Sequence, residues 1–155
     1  MILTIVQGLI FLSYVIFLMI RFKGPLPSIS DSWYKLNGMT SILFILFCWS
    51  LSITMVLQSN GIILPFFISG SGLAFVGVST AFKDKENFTS LVHFAGAAIC
   101  IIFAFIGIWL EYNLWLLSIL WIMSIIIFNK LKIKNTMWWV EISAFLFIII
   151  GLFIK

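Results

Sequence analysis

Of 155 residues, 63% are hydrophobic and 9% charged, where ordinary soluble domains carry roughly 25% charged side chains. That balance excludes a soluble globular domain. The formal charge of +4 lies between apolar blocks instead of forming a basic patch, so no nucleic-acid partner is expected. The apolar blocks run to roughly 16–22 residues between short polar interruptions, the pattern of membrane-crossing helices. The expected fold class is therefore all-α: a polytopic integral membrane protein, one domain over residues 1–155, built as a bundle of six transmembrane helices.

The first span is expected over residues 1–20, interrupted by Gln7. A secretory signal peptide carries its positive charge before the apolar run. Here Arg21 and Lys23 follow it, so the helix is expected to stay, with its N-terminus translocated. Pro25 and Pro27 end it, since proline lacks the amide proton and restricts the residue before it. In the segment that follows, Ser28 and Asp31 have the spacing of a capping arrangement, and Trp33 and Tyr34 suit the headgroup region. A short interfacial helix or ordered turn is expected there.

The second span is expected over 39–57, closed by the polar turn Gln58-Ser59-Asn60-Gly61, and the third over 62–82. Within the third, Gly70, Ala74, Gly77 and Ala81 form one small-residue stripe. The fourth span, 90–110, repeats the device with Gly96, Cys100, Ala104 and Gly107, and His93 lies a turn before that stripe. Lipid supplies no hydrophobic drive between helices, so small residues that let backbones approach are the usual packing surface. The third and fourth spans are expected to form a tight hairpin around the charged loop Lys83-Asp84-Lys85-Glu86, itself expected to be solvated. The fifth span, 114–128, is short for a crossing of roughly 20 residues, and the sixth covers 136–154.

Six spans place both termini on one side. Arg21, Lys23, Lys35, Lys83, Lys85, Lys130, Lys132 and Lys134 all fall in the first, third and fifth loops, leaving Lys155 as the exception among nine basic residues. That bias marks the cytoplasmic face. The expected location is a bacterial inner membrane, with basic loops inside and both termini outside.

With this topology Asp31, Tyr34, His93 and Glu141 reach similar depth near the cytoplasmic face. Ionisable groups within spans cost at least a few kcal/mol unless paired or hydrated, which makes each a candidate binding residue. An acid, a histidine and a tyrosine in one place can relay protons, hold a polar ligand or hydrolyse a lipid ester. The structural alternatives are that Glu141 snorkels or pairs with Lys134 on the same face, and that His93 bonds a loop carbonyl. Glu111 reads as a solvated helix end, and Cys48 and Cys100 as small packing residues. Most of the seven tryptophans, Trp138 and Trp139 among them, read as an aromatic belt. No metal-ligand spacing or cofactor motif is present, so no metal or cofactor is expected.

The run Pro27-Ser28-Ile29-Ser30-Asp31-Ser32-Trp33-Tyr34, the Gly-rich third span ending Phe75-Val76-Gly77, and Val92-His93 carry a resemblance. Over residues 25–100 the chain resembles small six-helix membrane proteins of the DRAM/Sfk type and a related bacterial family of unknown function. The resemblance implies a six-helix bundle and lipid-linked roles, with Asp31 and His93 as the polar positions carried across. The function expected is non-enzymatic binding of a lipid, small ligand or protein partner through the cytoplasmic-side polar cluster. A small oligomeric transporter or channel is the alternative and a membrane-embedded lipid hydrolase the lesser one. Partners would be membrane lipids and a second copy or another membrane protein.

Overall fold

The structure, a computed structural model, describes residues 1–58, 63–79 and 86–154, with the backbone alone described at residues 38, 63 and 86–90. Among these residues it is all-helical: α1 (Ile2–Phe22), α2 (Ser32–Lys35), α3 (Ile42–Leu57, entered through a 3-10 turn at Gly38–Ser41), α4 (Ile63–Ser79), α5 (Glu86–Tyr112), α6 (Leu116–Lys130) and α7 (Thr136–Ile154). Four segments are long and apolar enough to cross a membrane: Ile2–Phe22, Met39–Leu57, Leu91–Tyr112 and Thr136–Ile154. The α4 stretch Leu64–Ser79 and the α6 stretch Leu116–Lys130 are apolar but shorter. At 15 residues, α6 spans about 22 Å, against a hydrocarbon core of about 30 Å.

Helix ends follow local chemistry. α1 stops at Lys23, which adopts the left-handed conformation (φ 54°), while Gly24 N–H reaches back to the Met19 carbonyl at 3.1 Å. Lys132 ends α6 in the same way, with Ile133 N–H bonded to the Phe128 carbonyl. Both are closures that satisfy the last free carbonyls of a helix. The prolines after α1 therefore follow a stop that is already complete.

The helices pack as a ring, α1–α3–α4–α5–α7 and back to α1, with α6 laid outside against α7. α6 buries no side chain. One core cluster gathers Phe11, Tyr14, Phe47 and Phe145, with Tyr14 stacked on Phe47 at 4.2 Å. A second, toward the other end, centres on Phe66, Ala104, Ile108 and Ile148. That end also holds a buried amide pair, in which Gln58 Nε2 donates to Gln7 Oε1 at 2.7 Å. Gln58, expected in a polar turn, is thus buried and ties α3 to α1.

The tight hairpin of α4 on α5 is present, but the glycine stripes do not meet each other. Gly70 and Gly77 face α3, where an added Cβ would lie 2.9 Å from the Ser52 carbonyl oxygen and 3.0 Å from Cys48 Cβ. The contact with α5 is made by Gly72, on the other side of α4: its Cβ would fall 2.7 Å from the Gly96 carbonyl oxygen and 2.8 Å from Cys100 N. Gly96 is tight against Gly72 in return, and Gly107 seats the Phe66 ring. Cys100 and Ala104 are buried and Ala74 is half-buried, whereas Ala81 and the loop around Lys83 and Lys85 lie outside the described residues. The reason is that α4 lies between two neighbours, so its small residues are divided between opposite faces. Hydroxyls reinforce both contacts: Ser52 Oγ donates to the Gly70 carbonyl and Ser69 Oγ to the Cys100 carbonyl, each at 2.6 Å.

Backbone sits opposite backbone at Gly72, so a methyl group there cannot be relieved by a rotamer change. Gly72→Ala is expected to destabilise the bundle by about 1–3 kcal/mol, read as a lower thermal midpoint in detergent. Gly8→Ala, whose Cβ meets Ile149 at an ordinary 3.7 Å, is expected to hold or raise that midpoint.

Candidate functional site

The site begins with the connection between α1 and α2. Its extended backbone lies along the first turns of α7 through three hydrogen bonds. Asn135 Nδ2 donates to the Pro25 carbonyl at 2.8 Å, Trp138 N–H donates to the Pro27 carbonyl at 3.1 Å, and Ile29 N–H donates to the Glu141 carboxylate. Alternate residues of the loop thereby meet every third residue of the helix. Leu26 and Ile29 turn inward and are buried, and Trp138 is wholly buried among the core residues. Residues 25–29 are thus a strap across the end of the bundle. Trp138 belongs to the core and not to an aromatic belt.

Beyond the strap, Ser28 Oγ accepts the Asp31 N–H at 3.1 Å, one half of the anticipated capping arrangement. It starts α2, whose buried Ser32 meets the Tyr14 hydroxyl at 2.7 Å. The short helix is therefore anchored in the bundle, while Tyr34 is exposed at its rim. Glu141 is five residues into α7; it accepts from the Ile29 amide, a partner that neither structural alternative, snorkelling or pairing with Lys134, had named.

His93 comes from α5. That helix begins at Glu86, a turn before the expected start, so His93 lies about two turns inside it. Its Nδ1 faces Ser79 Oγ at 3.4 Å, at the end of α4, and not a loop carbonyl. Ser79 carries one proton and places it on the Val76 carbonyl at 2.7 Å. That direction is compatible with a His93 tautomer protonated at Nδ1, in which Nε2 is an acceptor.

Packing of α7 beside α5 brings these groups together. Asp31, Tyr34, His93 and Glu141 all line one cavity of about 420 Å³. Asp31 is within electrostatic range of both His93 and Glu141. The volume falls in the roughly 300–1,000 Å³ of small-ligand sites. Its walls are apolar: Phe44 from α3, Phe94, Ala97 and Ile101 from α5, and Met137 and Val140 from α7. Phe94 and Met137 are exposed, so the cavity opens sideways between α5 and α7. A second, smaller space of about 50 Å³ shares Glu141 and His93 as lining and also touches Cys48 and Cys100, which are free thiols.

Ser28, expected only as part of a capping arrangement, lines the cavity as well, and so do Ser79 and Ser30, which were not singled out from sequence. Nothing in the spacing of these serines separates them from the chain's other serines. Among the described residues no cluster of His, Cys, Asp or Glu is arranged to hold a metal.

Comparison with family models, with curated proteins and with solved structures finds no match to the chain. The site stands on its own geometry.

Loss of the Glu141 acceptor leaves the Ile29 amide unpaired, which costs about 1–3 kcal/mol. Glu141→Ala is expected to speed hydrogen exchange across residues 24–31, whereas Glu141→Gln, which keeps a carbonyl acceptor, is expected to stay near the wild-type rate. Equal exchange in Glu141→Ala and wild type would remove the strap from this account.

Proposed function

We propose that this chain is an integral membrane protein that binds an amphiphile, a membrane lipid above all, through the cavity closed by the strap. The observation that carries the reading is the convergence of Asp31, Tyr34, His93 and Glu141 on one cavity whose other walls are apolar. A polar end beside an apolar slot that opens toward lipid suits a molecule with a headgroup and a chain. The binding is non-enzymatic. Of the cavity serines, the one beside His93 is Ser79, and its hydroxyl is bonded to the Val76 carbonyl, a packing contact. The proposal includes six crossings, with α4 and α6 as the two short ones, basic loops on the cytoplasmic face of a bacterial inner membrane, and both termini outside. It also includes kinship with the six-helix DRAM/Sfk type.

A small oligomeric transporter is the competing reading, supported by the Gly/Ser-rich α4. The hydroxyls of Ser52 and Ser69 donate to neighbouring backbone carbonyls, which assigns them to helix packing and favours the binding reading.

Native mass spectrometry of the protein in mild detergent tests the proposal. Wild type is expected to retain co-purified lipid, and the triple variant Asp31→Asn, His93→Ala, Glu141→Gln to lose it while keeping its helical circular dichroism. Equal lipid content in the two proteins would overturn the reading. Topology is tested by a membrane-impermeant maleimide. A cysteine replacing Lys132 is expected to react from the cytoplasmic side alone and one replacing Asn113 from the outside alone; both native cysteines are buried.

A further inference from the structure

The chemistry of the polar end sorts among headgroups. Among the described residues that line the cavity there are two carboxyl groups, Asp31 and Glu141, and no lysine or arginine. A phosphate or carboxylate placed there would meet the Asp31 carboxylate, which costs free energy, and no cation among the described lining residues offsets it. Hydroxyls and the Trp33 indole also line the cavity, and three of its groups offer acceptors to a cation. The Asp31 carboxylate is one. Glu141 is a second: Ile29 N–H and the Ser30 hydroxyl take up part of a carboxyl group whose two oxygens have about four lone-pair sites. His93 Nε2 is the third, in the tautomer protonated at Nδ1. A primary ammonium group offers three N–H donors, one for each.

The apolar side of the cavity fits the remainder of such a molecule. Phe94, Ala97 and Ile101 follow one face of α5 over seven residues, a wall about 10 Å deep. Met137 and Val140 oppose them from α7. A chain entering between the exposed Phe94 and Met137 would bring its head to the three acceptors.

We infer that the cavity selects a primary ammonium headgroup carried on a hydrocarbon chain, as in an aminophospholipid or a long-chain amine. The inference rests on the amphiphile-binding reading above and adds the identity of the head. A trimethylammonium head has the charge but no N–H donor, and a glycerol head has hydroxyl donors but no charge. The selection is therefore by charge and donors together.

The test is retention of added lipid by the full-length protein, delipidated in detergent and offered equal amounts of phosphatidylethanolamine, phosphatidylcholine and phosphatidylglycerol, read by native mass spectrometry. Wild type is expected to favour phosphatidylethanolamine by roughly tenfold, the size of one charge-assisted hydrogen bond. Asp31→Asn is expected to lower phosphatidylethanolamine retention and to raise that of anionic phosphatidylglycerol, so that the preference for phosphatidylethanolamine disappears. The contact by which Asp31 holds its loop is its backbone N–H to Ser28 Oγ, which this variant leaves in place. Dodecylamine separates the sources. If it displaces phosphatidylethanolamine, head and chain suffice and a free amine is a ligand; if it does not, the phospholipid is. Equal retention of the three lipids would overturn amine selection and leave amphiphile binding standing. A loss of all three in Asp31→Asn would overturn the assignment of the amine to Asp31. No retention of any lipid by wild type would overturn the binding reading itself, and this inference with it.

Discussion

Backbone that is neither helix nor sheet carries free N–H and C=O groups, and next to hydrocarbon no water is there to satisfy them. Residues 25–29 are such backbone, and α7 satisfies them from one face. An Asn135 side-chain amide, a Trp138 main-chain N–H and the Glu141 carboxylate take up the Pro25 carbonyl, the Pro27 carbonyl and the Ile29 N–H. One of them, the Trp138 N–H, comes from the first turn of α7, where helix amides have no intrahelical partner and are available to a neighbour. The strap also draws Leu26 and Ile29 inward, so the polar bonds at its edge are covered by apolar packing.

Once the strap is seated, the placement of the site follows. It aligns Asp31 above the gap between α5 and α7, and it orients Glu141 by holding one carboxylate oxygen. On the opposite wall, the end of α4 orients His93 through Ser79. Glu141 and His93 thus each have a contact directed at the fold and a capacity directed at the space. This is the arrangement expected of a preorganised binding site, whose groups do not have to reorganise when a ligand arrives.

The bundle around the site is held differently. In the helix contacts, hydroxyls are used up on carbonyls of adjacent helices, Ser52 on Gly70 and Ser69 on Cys100. Glycines permit the approach that makes those bonds short. α4 has such contacts on two faces, which explains why it can be short and rich in Gly and Ser and still be tightly packed. α6, outside the ring and without a buried side chain, meets the rest through contacts such as Phe105 with Trp121, stacked at 5.4 Å.

The sequence by itself determined the all-helical class and the order of the apolar blocks, and it marked four polar residues as candidates that the fold then places on one cavity. These are properties of composition and of local spacing: a long apolar block forms a helix in lipid, and an ionisable residue within it stands out by its cost. Tertiary structure decided which groups each residue meets. Glycine spacing marks a close approach without naming the partner, so the stripe of Gly70 and Gly77 turned out to face α3 and the neighbouring Gly72 to face α5. Glu141 gave no sign that its partner was a backbone amide 112 residues away. Gln58 read as turn because hydrophilicity alone does not reveal a buried partner such as Gln7. Ser79 had no sequence signal at all; it matters because the end of α4 falls beside His93. The cavity itself is a consequence of α7 lying next to α5, a choice of helix order that no local pattern encodes, because it depends on the packing of side chains more than forty residues apart in the chain.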